Sequence, residues 1–110
     1  MIIYRVEIKI QAEAEAEWLG WMREIHIPEV VQTECFSACR IYKVIDSGQS
    51  GPTYVMQYRC RSLEDYQRYR DRFAPVLQKK HSDRFAQRFF ASRQLLEEVG
   101  EIRREETPNA

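Results

Sequence analysis

The residues of this chain that could bind or transform a small molecule include two histidines. His26 and His81 are the only histidines among 110 residues. An imidazole can act as a general base, ligate haem iron or contact an anion. His26 is also expected near the carboxyl end of a helix, where the ring would cap the last carbonyl groups. Both interpretations of His26 stay open, whereas His81 follows Lys79-Lys80 and is expected to have a structural or surface role.

A second set of candidate residues lies in two predicted strands. Guanidinium and amide groups recognise carboxylates and other polar ligands. Arginine and tyrosine are also common where two subunits meet, so the same side chains could hydrogen-bond across a dimer interface. The sequence therefore predicts a ligand-binding surface or a subunit interface at four positions, Arg40, Tyr42, Gln57 and Arg59.

Other motifs that carry chemistry are absent from the sequence. It contains no phosphate-binding glycine loop, no HExxH metal motif and no nucleophile elbow. Cys35 and Cys39 fall in one predicted strand, about 13 Å apart and too far for a disulfide. Together with Cys60 they form an odd number without CxxC spacing. We therefore expect reduced thiols, no metal site and no cofactor.

Charge is balanced over the whole chain, with 17 basic and 17 acidic residues, but it is unevenly distributed. Most of the arginines and lysines lie in the segment 59–93, which could attract nucleic acid. Helical spacing places the aromatic residues of 66–73 on one stripe and the arginines away from it, as in an amphipathic surface helix. The third strand also lacks the glycine-rich motif of RNA-recognition domains. Weak nucleic-acid binding through 59–93 stays a minor alternative.

Hydrophobic periodicity predicts the first elements that position these side chains. Residues 2–10 alternate between apolar and polar types, which predicts a strand with one buried face. Residues 13–27 have helical spacing, with an apolar stripe made by Ala14, Trp18, Trp21, Met22 and Ile25. Pro28 is expected to end this helix or to begin a short second one.

The later elements complete a recognisable order. Residues 35–45 and 53–60 predict two antiparallel strands joined by a turn. The sequence Ser62-Leu-Glu-Asp65 is a capping box that opens a second helical region, and 88–96 form the last strand. The order β-α-β-β-α-β predicts an α+β, ferredoxin-like domain, in which both helices cover one face of a four-stranded antiparallel sheet.

The chain is expected to form one domain, 1–97, followed by a charged and disordered tail, 98–110. No apolar run approaches the length that crosses a bilayer. The strand pattern after Met1 is unlike a signal or transit peptide. We therefore expect a cytoplasmic protein without a membrane partner.

The sheet face opposite the helices has no predicted cover. Its candidate residues combine large apolar side chains with Arg, Gln and Tyr, a surface too apolar to be simply solvated. Pairing with a second copy would cover this face and leave a partly polar cavity between two sheets, with His26 near its rim. The apolar residues assigned to the face are Ile3, Phe36, Val44 and Val55.

Three segments carry a resemblance to a known family: Met1-Ile-Ile-Tyr-x-Val, Trp18-Leu-x-Trp-Met-x-x-x-His26-Ile-Pro28 and Gly51-Pro-Thr-Tyr-x-x-Gln-Tyr58. They resemble a short bacterial family known as domain of unknown function 4286, in the dimeric α+β barrel superfamily. The resemblance covers 1–96 and implies the ferredoxin-like fold and a homodimer of paired sheets, with no assigned activity.

Relatives in the wider superfamily include cofactor-independent monooxygenases, haem-degrading enzymes and small-molecule isomerases. This kinship is an analogy of fold. We expect a homodimer of unassigned function that binds a small molecule or a partner between its sheets. A small cofactor-independent or haem-dependent oxygenase, or an isomerase, is the alternative.

Overall fold

Four antiparallel strands form the single sheet of the computed structural model, which describes residues 1–105. The strands are β1 (Ile2–Ile10), β2 (Ala38–Lys43), β3 (Thr53–Cys60) and β4 (Phe89–Glu97). Their order across the sheet is β2-β3-β1-β4, and every neighbouring pair is antiparallel. This arrangement confirms the ferredoxin-like fold that the element order predicted.

The first helical segment is continuous through Pro28 rather than ending at it. Helix α1 (Glu15–Trp21) leads into a π-helical turn (Met22–His26) and then into α2 (Ile27–Val31). In the π turn the Ile27 N–H donates to the Met22 carbonyl, five residues earlier. Pro28 lies in the first turn of α2, where its missing N–H is tolerated.

The π turn changes which side chain of this segment faces the core. A π turn contains one residue more than an α turn, so positions after it rotate around the helix axis. Ile25, which α-helical spacing placed on the inward stripe, is 46% exposed. His26 instead faces inward and is only 8% exposed. The expectation that His26 caps a helix end is wrong, because the helical segment passes through it and ends at Val31.

The second helical region is divided at Phe73. Helix α3 (Leu63–Arg72) begins at Ser62, whose hydroxyl accepts from the Asp65 N–H at 3.2 Å, as the capping box predicted. Helix α4 (Ala74–Arg84) follows at once, with Pro75 in its first turn. Short 3₁₀ turns cover Ala12–Ala14 and Gly48–Ser50.

The core lies between the helices and one face of the sheet. On β1 the predicted inward residues are all buried, and β3 contributes the side chains opposite them. Phe85, after α4, and Trp18 are completely buried beneath the helices. The β1 and β3 side chains of this core are Tyr4, Val6, Ile8, Ile10, Tyr54, Met56, Tyr58 and Cys60.

The second strand begins three residues later than expected, and this difference moves one aromatic residue. The chain leaves α2 through a turn in which Glu34 has a positive φ of 67°. It joins the sheet only at Ala38. Phe36 therefore packs over the core, with its ring 6.0 Å from that of Tyr4 and 4.8 Å from that of Tyr69. Its assignment to the outer sheet face was wrong.

Residues 98–105 are exposed and have no regular secondary structure. The Glu98 N–H donates to the Met1 carbonyl at 2.9 Å. The predicted disorder of 98–110 stays a prediction, and its last five positions, 106–110, lie outside the described residues. Between residues 1 and 105, no helix combines the length and the apolar character that a membrane span requires.

Candidate functional site

The sheet face that the helices leave open carries all four residues predicted for ligand binding. The register of β2 and β3 places Arg40 directly opposite Gln57. Tyr42 is opposite Val55 on the same face, and Arg59 is opposite Ala38. Since directly opposite residues have neighbouring side chains, the sheet brings the predicted residues into one surface. Their role in binding stays a prediction.

A line of polar side chains crosses all four strands at the middle of this surface. Arg5 of β1 is opposite Gln57 on one side and opposite Gln94 of β4 on the other. With Arg40 opposite Gln57, the four residues form what we call the polar row: Arg40, Gln57, Arg5 and Gln94. Strands lie about 4.8 Å apart, so the row is about 14 Å long. Two guanidinium groups and two carboxamides can together bind a planar, negatively charged group.

Sequence analysis did not identify Arg5 and Gln94 as site residues. The alternation of β1 did place Arg5 on the outer face. Its distance from Gln57 and Gln94 depends on strand register, which the sequence pattern alone does not reveal.

The charge around the polar row is mainly positive. Arg5, Lys9, Arg40 and Arg59 have outward positions on the strands, and Glu7 is the only acidic residue among the outward strand positions within 1–105. Glu7 forms a 3.2 Å ion pair with Arg5. This surface therefore favours an anionic ligand or partner.

A groove continues the surface towards the edge strand β4. It has a volume of about 570 Å³ and follows the junction of β1 and β4. Phe90, in its wall, is 81% exposed. Apolar and basic side chains meet here, which suits a ligand with an apolar body and a negative group. The groove residues with outward side chains include Glu7, Lys9, Phe90 and Ser92.

The two histidines lie on the opposite, helix-covered side of the sheet. The structure brings them together, with ring centroids 5.7 Å apart, and buries both. His26 stacks on Trp21 at a centroid distance of 4.7 Å. The interpretation of His26 as a rim residue of the cavity between sheets is wrong, because the sheet itself separates it from the polar row. The surface alternative for His81 is wrong as well, because this side chain is part of the core.

Hydrogen bonding defines the protonation of His81. The Trp18 Nε1–H donates to His81 Nε2 at 2.8 Å, so Nε2 is unprotonated and the ring proton of the neutral imidazole is on Nδ1. Among the described residues His26 Nδ1 is buried without a hydrogen-bond partner. Burial lowers the pKa of each histidine to about 4, and both imidazoles are therefore neutral at pH 7.

The three cysteines are free thiols. Burial raises the pKa of Cys39 to about 12 and that of Cys60 to about 11. Thiolate is the reactive form, so these two side chains are poor nucleophiles. Residues 1–105 contain no cluster of three or more His, Cys, Asp or Glu side chains that could hold a metal ion.

The basic residues of 59–93 do not form one continuous surface. Arg59 and Arg93 occupy opposite faces of the sheet. Lys79 and Lys80, on α4, form ion pairs of 2.6 and 2.9 Å with acidic residues. A nucleic-acid backbone would need a connected positive track, and weak nucleic-acid binding through 59–93 stays a prediction.

Comparisons with known proteins support the fold and name a family. The model of a family described as domain of unknown function (DUF4286) matches residues 1–99. None of the curated proteins is significantly similar to this chain. Solved structures with the same fold have low sequence identity, and at this level they establish the fold alone.

Three such structures illustrate the likeness. A NIPSNAP domain protein of unknown function from Burkholderia xenovorans has a TM-score of 0.71 and 12% identity, over 94% of this chain and 100% of its own. A dimeric ferredoxin-like protein from an uncultured marine organism has a TM-score of 0.66 and 18% identity, with the same coverages. A variant of MhuD, with two manganese protoporphyrin IX molecules per active site, has a TM-score of 0.66 and 17% identity, over 93% of this chain and 98% of its own.

Proposed function

The chain belongs to the DUF4286 family, and we propose that it is a homodimer that binds a small anionic molecule between its two sheets. The observation that carries the proposal is the polar row on a sheet face without a cover. Exposed apolar side chains support the pairing of the sheets, and the charge of the open face supports an anionic ligand.

Exposed apolar side chains support the pairing. Phe90 is 81% exposed, and Tyr42 and Leu96 on the same face are also exposed. Burial of such side chains against a second copy is favourable by about 25 cal/mol for each Å² of apolar surface. Two sheets pack face to face about 10 Å apart, and a twofold axis would supply the same residues from both protomers. The structural similarity to a dimeric ferredoxin-like protein is consistent with this arrangement.

The charge of the surface supports an anionic ligand. Each open face has four basic residues and one acidic residue at outward strand positions. Pairing two such faces concentrates like charges where water is partly excluded and their repulsion is stronger. A carboxylate or another anion bound to the polar row would offset this repulsion, with bidentate contacts to Arg5 or Arg40. Binding and pairing would then reinforce each other.

The pairing is tested by changing one exposed aromatic residue on the face. Phe90→Asp should convert the dimer to a monomer, because it places a carboxylate where the sheets would meet. Ile45→Asp is the matched control, since Ile45 is fully exposed in the turn after β2 and is outside the proposed interface. Native mass spectrometry should give twice the chain mass of 13.2 kDa for the wild-type protein and for Ile45→Asp. A wild-type monomer at micromolar concentration would refute the pairing.

The ligand is tested on the same samples. Reproducible extra mass on the native dimer, lost in Arg40→Gln, would identify a bound molecule and its dependence on the polar row. An Arg40→Gln dimer that keeps the extra mass would contradict the proposed binding site. A wild-type dimer that carries no extra mass and does not bind added organic acids would support the pairing of the sheets and refute the binding of an anion.

A small oxygenase or isomerase is the second candidate function, and the buried histidine pair favours it. Neutral imidazoles are suitable general bases, and the structurally similar MhuD variant holds a porphyrin. Such an enzyme would require the helix side of the sheet to open around its substrate, because the cavity beside the histidines has a volume of only about 30 Å³. Activity that is lost in His26→Gln, in a protein that keeps its fold, would support this candidate. Unchanged turnover in that variant would exclude a catalytic His26.

A further inference from the structure

A small cavity lies between the helices and the sheet, on the side opposite the polar row. Its volume is about 30 Å³, and its polar lining includes Tyr4, His26, Gln78 and Arg93. We propose that this cavity is a binding site for a small monoanion of the size of formate. One water molecule needs about 10–15 Å³, so the cavity has room for a group of two or three heavy atoms. The site is independent of the anion site proposed between the sheets.

The buried imidazole of His26 supplies the first argument. More than nine-tenths of this residue is buried, yet its Nδ1 has no hydrogen-bond partner among residues 1–105. Buried polar atoms without partners are rare and cost about 1–3 kcal/mol each. A neutral His26 that carries its proton on Nδ1 can donate to an oxygen or a halide in the cavity, and binding would remove this cost.

The charges around the cavity select the sign of the ligand. Arg93 is the cationic member of the lining, and no aspartate or glutamate of the described chain lines the cavity. Within 1–105 Arg93 forms no ion pair. A guanidinium without a carboxylate, beside neutral donors, attracts an anion and repels a cation.

The tyrosine and glutamine side chains add donors on the sheet side. Gln78 and Arg93 line the cavity together with Tyr4. Burial raises the pKa of Tyr4 above its usual value, so the hydroxyl stays protonated and can donate. The cavity therefore offers a guanidinium, an imidazole N–H, a carboxamide and a phenol to a ligand that only accepts hydrogen bonds.

The position of Arg93 also gives the ligand a path. Arg93 lies on the edge strand β4, lines the cavity and is itself exposed to solvent. Movement of this one side chain would open the cavity beside β4, without separation of the helices from the sheet. Small anions can enter by this path, whereas molecules much larger than the cavity cannot be enclosed.

The two tryptophans of the chain make the binding measurable. Trp18 hydrogen-bonds to His81 and Trp21 stacks on His26. Since both histidines line the cavity, an anion bound beside them should change the tryptophan fluorescence. We expect a saturable change when sodium formate is added at constant ionic strength and pH 7. The His26 Nδ1 resonance of ¹⁵N-labelled protein should shift with the same dissociation constant.

Variants separate this site from other anion contacts. Arg93→Gln should weaken formate binding at least about tenfold, whereas Arg104→Gln, in the exposed segment after β4, should not change it. Arg40→Gln removes a charge from the polar row and should also leave the fluorescence response intact. Arg93→Lys keeps the charge and should bind better than Arg93→Gln. A response that does not saturate, or equal binding by Arg93→Gln and Arg104→Gln, would overturn the proposal and indicate a cavity that holds only water.

Discussion

Acid should destabilise this protein through its two buried histidines. Both have a folded-state pKa of about 4, below the ordinary value of 6.5, with burial as the main cause. Between these values the unfolded chain binds more protons than the folded one, so stability is complete above about pH 6.5 and falls as the pH approaches 4. A difference of 2.5 pH units corresponds to at most about 3 kcal/mol for each histidine. The pair is coupled, because His26 contributes to the lowered pKa of His81.

The size of this effect makes it decisive for folding. A domain of this length has about 5–15 kcal/mol of stability in total, and the two histidines together could remove up to about 6 kcal/mol. Protonation of His81 at Nε2 would also break its hydrogen bond from Trp18. The carboxyl of Glu15 has a pKa below its usual 4.5 because it accepts a hydrogen bond from Tyr54 and contacts Lys43. Its contribution to acid destabilisation therefore begins only below about pH 4.5, which leaves the range from 6.5 to 4.5 to the histidines.

Urea unfolding followed by circular dichroism measures the prediction directly. The free energy of unfolding should fall steadily from pH 6.5 to 4.5 in the wild-type protein. His26→Gln and His81→Gln should each remove part of this slope and the double variant most of it, because glutamine keeps polar atoms at the site without titrating. A wild-type stability that is flat over this range would refute the reasoning. An unchanged slope in the double variant would assign the effect to other groups.

Two further predictions concern single hydrogen bonds. Tyr54→Phe removes the 2.6 Å bond to Glu15, so the pKa of Glu15 should rise towards its usual value; carboxyl NMR titration measures this, and an unchanged pKa would leave Lys43 as the cause. Ser62→Ala removes the N-cap of α3 and should cost about 1 kcal/mol. Ser82→Ala, at an exposed position in α4, should change the stability by less than about 0.5 kcal/mol in the same urea assay.

Local sequence patterns, each spanning a few residues, predicted most of the fold. The alternation of β1 identified its buried face, because one side of the strand must enter the core. The capping box at Ser62 marked the start of α3, because one local hydrogen bond defines it. The start of β2 was predicted too early, since Phe36 follows the alternation of the strand but packs over the core before the chain reaches the sheet.

The candidate sites depend on a π turn and on strand register, which the sequence pattern predicts only in part. Helical spacing assumed a regular turn and assigned Ile25 to the core. One extra residue in the π turn rotates His26 inward instead. Pro28, two residues later, was the available signal, because a helix that passes a proline must rearrange its hydrogen bonds. The polar row required the register of three strand pairs. Residue types suggested Arg40 and Gln57, whereas Arg5 and Gln94 became recognisable only through that register.

The two proposed sites use consecutive residues of the same three strands, β1, β3 and β4. Tyr4 lines the cavity beneath the helices, and the next residue, Arg5, belongs to the polar row on the open face. Alternation along a strand places consecutive side chains on opposite faces, so neither site can contact a ligand of the other. Acidification acts on the histidine side, and subunit pairing acts on the open side. A change that affects both properties must therefore act through the shared strands or through the stability of the whole domain, and measurement of stability separates these two causes.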